Sequence, residues 1–504
     1  MKVFSNVFSR FLRCVKINWS KFHARASVAP LYSVTLLSLF SKKIQNRLNL
    51  SFPSEYSIDL ISQSHIVVLK CSGRSIFIRN IPRVLTSNSL SDVEKSELHS
   101  FGWISLLDLN MDRQWRMLIR RHIDFWIKKF KNVSEEPAWS IPVVAERLYN
   151  WIMQHNLISK TSDMEFNGIF GESMIQQLKF LRRQMYLPLG LLEKTQLIRA
   201  VVLVSAALED DKKFSLAINE LSTYLLEIDP VKSCKTTLEI LKVLRNFVDV
   251  QTIIMFHKKN IPLEISVAMG KLAAVVRNIR HSDGGISIFQ SEFTPSPTYI
   301  DAVLSQVRRN DQNEICSEYL RLQSFEGTAF IHLKNKYFPL EFSAGTQRII
   351  LGSYIYFLDQ NLFFPKDVRT DHRLHNEKNN IWFDGKSSFT VNERSVDFEK
   401  KLYINNLGTD VRCEESLSTD LYSVTHHLVL PSEITITPLE YQNGFFMDLK
   451  SGARWMWNFS KNVGFSFDFG RSGILNGEKK QFTLLTITTA TTGKNRLRWS
   501  LRRV

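Results

Sequence analysis

The stretch Phe338-Pro339-Leu340-Glu341-Phe342-Ser343-Ala344-Gly345-Thr346-Gln347-Arg348-Ile349-Ile350-Leu351-Gly352 decides how the chain is read. Apolar and polar positions alternate on either side of Ser343-Ala344-Gly345, the pattern of two short strands joined by a tight turn. Arg369, His372, His375 and Asn376 follow as a polar loop, which runs into another strand at Ile381-Trp382-Phe383-Asp384-Gly385. Helical periodicity dominates before this stretch, and period-two alternation dominates after it. An active cleft is therefore expected at the seam between the two halves.

Working outward, 504 residues are too many for one ordinary core, so two or three domains are expected. The composition, 44% apolar and 23% charged, is that of a folded soluble protein. A net charge of +16 attracts polyanions such as acidic polysaccharide, nucleic acid or anionic membrane. The bland alternative is an organism whose proteins run Lys-rich. Nothing in the strands has the aromatic spacing of an RNA-binding platform, so nucleic acid is the weaker partner class.

The five cysteines (Cys14, Cys71, Cys234, Cys316, Cys413) are scattered and form no CxxC pair. Neither a zinc site nor a disulfide framework is indicated, and free thiols fit best. No cofactor is expected; whether a structural divalent metal bridges the domains stays open. The N-terminus is basic, but its apolar run from Ala29 to Phe40 is interrupted by Pro30, Ser33 and Ser38. No secretory signal is readable there, and the run is too short to span a bilayer. An amphipathic surface helix is the alternative reading, and no transmembrane segment is expected anywhere.

Taken in order, residues 1–50 read as a basic helical lead-in and 51–96 as a small β appendage. In the appendage, Ile66-Val67-Val68-Leu69 and Ser75-Ile76-Phe77-Ile78 flank a hairpin turn. Residues 97–310 carry the helical period. Trp115, Leu118, Ile119, His122, Ile123 and Trp126 form one apolar stripe, opposed by Arg113, Arg116, Arg120, Arg121, Lys128 and Lys129. That basic face reads as a solvated surface or as a wall for a polyanion. Pro142 sits where a helix starts, and further helices are expected at 170–187, 191–209, 212–227, 235–258 and 262–280. Consecutive antiparallel helices with short loops make a bundle, a solenoid or a toroid. From 315 to 504, strands at roughly ten-residue spacing make an antiparallel β-sandwich.

Among chemical motifs, no phosphate-cradling loop, HExxH, GxSxG or EF-hand loop is present. His426-His427 falls on a strand, where neighbouring side chains point to opposite faces. His281-Ser282-Asp283-Gly284-Gly285 lies where helices hand over to strands and reads as a turn first, a cleft element second. At His372 and His375, with Arg369, Arg373 and Asn376 nearby, the residues read as ordinary polar surface or as a cleft rim. In the second case a histidine carries a proton while Arg or Asn holds a carboxylate.

Several pieces, in order, resemble the heparinase II/III-like family. They are Phe101-Gly102-Trp103, Pro137-Ala138-Trp139 followed by Glu146-Arg147-Leu148-Tyr149-Asn150-Trp151, and Arg280-His281-Ser282-Asp283-Gly284-Gly285-Ile286. Leu340-Glu341-Phe342-Ser343-Ala344-Gly345-Thr346-Gln347-Arg348, His375-Asn376, Asp384-Gly385, His427-Leu428, Gly452-Ala453-Arg454-Trp455-Met456-Trp457 and Arg498-Trp499 complete the series. The resemblance covers residues 50–504 and implies an α+β multidomain protein. Its N-terminal part would be an α/α toroid, followed by a C-terminal antiparallel β-sandwich.

It further implies a polysaccharide lyase that cleaves uronic-acid chains by β-elimination, with acidic polysaccharide as partner. Such proteins often work in the bacterial cell envelope or periplasm; a cytoplasmic place is the alternative, since no signal peptide is readable. By resemblance, His375 is the proton carrier, Tyr299 or Tyr337 the acid/base, and His281 a further support. Arg369, Asn376, His372 and Arg147 are the substrate-binding candidates. Two family elements are missing. Where an Asp-Gly-Gly-His-x-Ser-Arg motif is expected after the helix at 216–226, the chain has Glu227-Ile228-Asp229-Pro230-Val231-Lys232-Ser233-Cys234-Lys235. In place of an Ala-His-Ala-Gly entry to the Leu340 strand stands Lys334-Asn335-Lys336-Tyr337-Phe338, with His332 a few residues early. The scaffold reads as a lyase and the site as eroded, with a non-catalytic carbohydrate-binding protein as the alternative function.

Overall fold

The computed structural model describes residues 57–504 apart from segments at 62–65, 72–73, 78–79, 87–89, 107–112, 132–135, 160–161, 288–294, 308–318, 325–326, 334–336, 345–346, 351–352, 358–365, 392–393, 419–423, 441–442, 462, 476–477 and 490–494. The basic lead-in at 1–50 lies outside the described residues. A helical N-terminal region is followed by a region of antiparallel sheets, as the change of periodicity implies. The chain divides into two compact units, one running to Tyr224 with Asp249–Ile261 added, the other Leu225–Val248 with Pro262–Val504.

The first unit opens with a three-stranded antiparallel sheet of β1 (Ser57–Ile61), β2 (Ile66–Cys71) and β3 (Arg74–Phe77). Its helices are α1 (Ile81–Leu85), α2 (Asp92–Ser100), α3 (Arg113–Lys129), α4 (Ile141–Met153), α5 (His155–Ser159), α6 (Met164–Gln184), α7 (Leu191–Ala207) and α8 (Asp211–Glu227). The last turn of α8 and the first half of α9 (Thr237–Phe256) belong to the second unit. Local chemistry explains the starts. Ser91 and Glu94 form a reciprocal capping box at α2, with Ser91 N donating to Glu94 Oε2 at 2.8 Å. Pro142 occupies the first turn of α4, and Asp163 accepts from Phe166 N at 2.7 Å to open α6. The stripe of α3 buries Ile119, His122, Ile123 and Trp126, joining Trp103, Trp151 and Phe170 in an aromatic core. Helix α7 is buried along almost its whole length, as a central helix must be.

The second unit holds α10 (Leu263–Asn278), α11 (Pro297–Ser305) and three open antiparallel sheets. One is β4 (Tyr319–Gln323), β5 (Gly327–His332), β6 (Leu340–Ala344) and β7 (Gln347–Ile350), in chain order. The second runs β17 (Val463–Leu475), β18 (Glu478–Thr489), β13 (Val424–Pro431), β8 (Ser353–Phe357). The third has eight strands in the order β14 (Thr435–Pro438), β15 (Gly444–Asp448), β16 (Arg454–Phe459), β19 (Asn495–Arg503), β12 (Asp410–Leu417), β11 (Arg394–Ile404), β10 (Asn380–Val391), β9 (Lys366–Glu377). Inward-facing Phe338, Phe342, Phe383, Phe398, Trp455 and Trp457 pack into one core.

One local expectation is corrected. The residues from Arg369 to Asn376 form no loop: they make strand β9, paired along its length with β10. The hairpin closes through Lys378 and Asn379, whose φ values of 51° and 64° suit a two-residue turn of type I′. As the edge of its sheet, β9 exposes nearly every side chain and so lacks the alternation that marks a half-buried strand.

Candidate functional site

A buried polar cluster in the second unit grows from residues 340–348. On β6, Glu341 and Ser343 are two apart and so share a face, and Arg348 of β7 pairs with Ser343. These three side chains meet the turn that follows α10. Gly284 turns the chain there with φ +81°, and His281 N donates to Gly285 O at 2.9 Å. His281 Nε2 lies 2.9 Å from Glu341 Oε2, and Ser343 Oγ lies 3.2 Å from His281 Nδ1. Arg348 grips Asp283 with two nitrogens at 3.0 and 3.2 Å, donates to Ile286 O at 2.9 Å, and stands 3.8 Å from Glu341. Thr237 Oγ1 of α9 donates to Ser287 O at 2.6 Å and ties the helix start to the same turn.

Burial first, and the Arg348 guanidinium second, push the His281 pKa below its ordinary value, although Glu341 pulls the other way. The ring is therefore neutral at pH 7; its partners assign the proton to Nε2, facing the carboxylate, and leave Nδ1 to accept from Ser343. With both His281 and Glu341 side chains fully buried, this pair holds the turn against the sheet, and Asp283 is the partly exposed member of the cluster. Sequence reasoning named His281 and missed Glu341, Arg348 and Asp283 as its partners, although all three stand in the quoted motifs.

The candidates on β9 divide by strand geometry. Arg369, Arg373 and His375 point to one face, His372 and Asn376 to the other. His375 is solvent-exposed, with Nε2 3.9 Å from Glu377 Oε2. His372 stacks on Phe383 with ring centroids 6.2 Å apart. Arg369 lies six residues from His375, about 20 Å along the strand, whereas Arg373 is about 7 Å away. Arg373 is thus the cation nearer to His375.

The remaining candidates are interior. Tyr299 of α11 is buried. Tyr337 lies in the core of the sheets, edge-on to Phe389 and Phe398 at 5.6 Å each, and burial raises its phenol well above the usual range. Arg147, in the first unit, is fully buried, 3.9 Å over the Trp126 ring. It donates to Gln177 Oε1 at 2.7 Å, Ala138 O at 2.9 Å and His99 O at 3.1 Å. His332 stacks on Tyr319 at 4.7 Å, and burial lowers its pKa to about 4. Among the described residues no group of three or more His, Cys, Asp or Glu is arranged to hold a metal. No described helix is long and apolar enough to cross a membrane.

No protein-family model and no curated protein sequence matches the chain. Solved structures do match its fold. A crystal structure of heparinase III aligns with a TM-score of 0.62 at 10% identity, over 86% of this chain and 80% of that one. A second heparinase III aligns at 0.53 and 11% identity, over 83% of this chain and 80% of that one. A mutant of the heparan sulfate lyase HepC from Pedobacter heparinus aligns at 0.50 and 9% identity, over 94% and 88%. The chain has a heparinase-like, polysaccharide-lyase-like fold.

Proposed function

We propose that the protein acts on an acidic, uronic-acid-containing polysaccharide by β-elimination. One observation carries this reading: the heparinase III fold accounts for 86% of the chain, too much for either the helices or the sheets alone. In this reading the helices close as an α/α toroid, the sheets stack as a β-sandwich, and the protein works in the cell envelope or periplasm. A base removes the C5 proton of the uronate, the C4–O bond breaks, a C4=C5 double bond forms, and an acid protonates the departing oxygen. His375 is the proton carrier we assign, because it is open to solvent beside Arg373, which is placed to neutralise a carboxylate. Arg369 extends the same face of the strand as a further contact, whereas His372 and Asn376 lie on its other face. No step is assigned to a metal.

A second reading, binding without turnover, is favoured by the burial of Tyr299, Tyr337 and His281, which keeps these proton carriers away from a polymer. Absorbance of the unsaturated uronate during incubation with alginate, heparin and pectate separates the two. A rising signal that His375→Ala abolishes supports the lyase. Glycan binding with no signal supports the second reading, and neither binding nor signal overturns both.

A further inference from the structure

Seven tryptophans of the described chain are buried, and Trp115 is half-buried; Trp382 is the exposed one, at 47%. It stands on the outer face of the eight-stranded sheet, in register with His375 on one side and Tyr403 on the other. Tyr403 pairs with Arg412, and Arg412 with Ser500. These five positions form a row at right angles to the strands, spanning about 19 Å at the usual strand spacing. The Trp382 and Tyr403 rings lie 4.4 Å apart and inclined at 48°, and the Arg412 guanidinium is 5.5 Å from the Tyr403 ring centre.

On β12 and β19, beyond Tyr403, arginines outnumber carboxylates. Asp410 is shared by Arg412 at 2.6 Å and Arg502 at 3.3 Å. Glu414 is shared by Arg498 at 2.6 Å and Arg496. Four guanidiniums thus meet two carboxylates, and each arginine side chain remains 45–57% exposed. Half-exposed guanidiniums that share an acceptor keep donors free for an anion, because each carries five N–H groups. An aromatic pair offers flat apolar area to the C–H face of a pyranose, while a polar rim fixes orientation.

We propose that this row is a glycan platform: a sugar ring stacks on Trp382 and Tyr403, and its chain runs across the strands toward the arginines, which hold carboxylate or sulfate groups. The proposal rests on the acidic-polysaccharide reading and places a stretch of that polymer beside His375. The row is long enough for a run of rings, and its charge selects an acidic glycan over a neutral one.

The test titrates the full chain with heparin, alginate and polygalacturonate, with dextran as the uncharged control. Trp382→Ala is expected to weaken the best acidic ligand about three- to tenfold, and Trp382→Phe, which keeps a ring, to bind near wild type. An R412A/R498A double variant is expected to lose affinity and to flatten the salt dependence. Acrylamide quenching supplies a direct readout, since bound glycan should shield the exposed Trp382. Melting temperatures check that each variant is folded. Wild-type binding that Trp382→Ala and the arginine variant leave unchanged overturns the platform and spares the proposed function. Equal binding of dextran overturns the charge selection, and no binding of any acidic glycan overturns both readings.

Discussion

Glu341 and His281, sixty positions apart in the chain, share a 2.9 Å hydrogen bond with both side chains fully buried. Arg348 stands 3.8 Å from the same carboxylate and keeps its pair with Asp283, so removing Glu341 chiefly takes the acceptor from the buried His281 Nε2–H. Glu341→Ala is expected to cost about 3–5 kcal/mol, and Glu341→Gln, which keeps an acceptor, about 1–3 kcal/mol. Urea unfolding monitored by circular dichroism checks both; a loss below about 0.5 kcal/mol for the alanine variant would sink the role of this cluster.

Arg147 anchors the first unit in a comparable way. Its guanidinium lies over Trp126 and serves one side chain and two backbone carbonyls, all in the interior. Lysine carries one compact cation and cannot reproduce the planar set of donors. Arg147→Lys is therefore expected to destabilise by about 1–3 kcal/mol and Arg147→Ala by about 3–5 kcal/mol. If Arg147→Lys melts within a degree of wild type, the planar fit is not what holds this core.

Acid should weaken the fold. Burial lowers His155 and His332 to about 4; His99 is lowered to about 3 by burial, then by Arg147 and Lys95. In the unfolded chain each imidazole titrates near 6.5, so below that pH the unfolded state takes up protons that the folded state refuses. The stability tied to these rings is complete above about pH 6.5 and declines as pH falls toward 4, by up to about 3 kcal/mol for each of His155 and His332. Melting temperatures at four pH values between 7.5 and 4.5 report this; a flat profile contradicts it.

Gly385 is held by space. A β-carbon there would lie 2.9 Å from atoms of both Phe338 and Phe383, rings fixed in the core of the sheets. Gly385→Ala forces a phenyl ring to move and is expected to cost about 1–3 kcal/mol. Paired with Phe338→Leu, which makes room, the cost should shrink in a double-mutant cycle; strict additivity would show that the two sites do not touch.

The sequence by itself determined the order of elements. The helix expected at 191–209 is Leu191–Ala207, and that at 212–227 is Asp211–Glu227, because apolar period and helix-ending residues act within a few positions. The strands around Ser343-Ala344-Gly345 were legible for the same reason, their inward faces being apolar enough to alternate. Strand β9 was not, because an edge strand open on both faces carries no apolar alternation, although the turn at Lys378-Asn379 left a local sign.

The settings of the candidate residues were decided only by tertiary structure. His281 and Tyr337 look available in the chain, yet both are interior, since burial depends on which distant segments pack over them. His375 and Asn376 are neighbours in sequence and opposed in space, because a strand turns successive side chains to opposite faces. The row from His375 through Trp382 and Tyr403 to Arg412 exists only once four strands are in register, and no spacing along the chain announces a cross-strand neighbour.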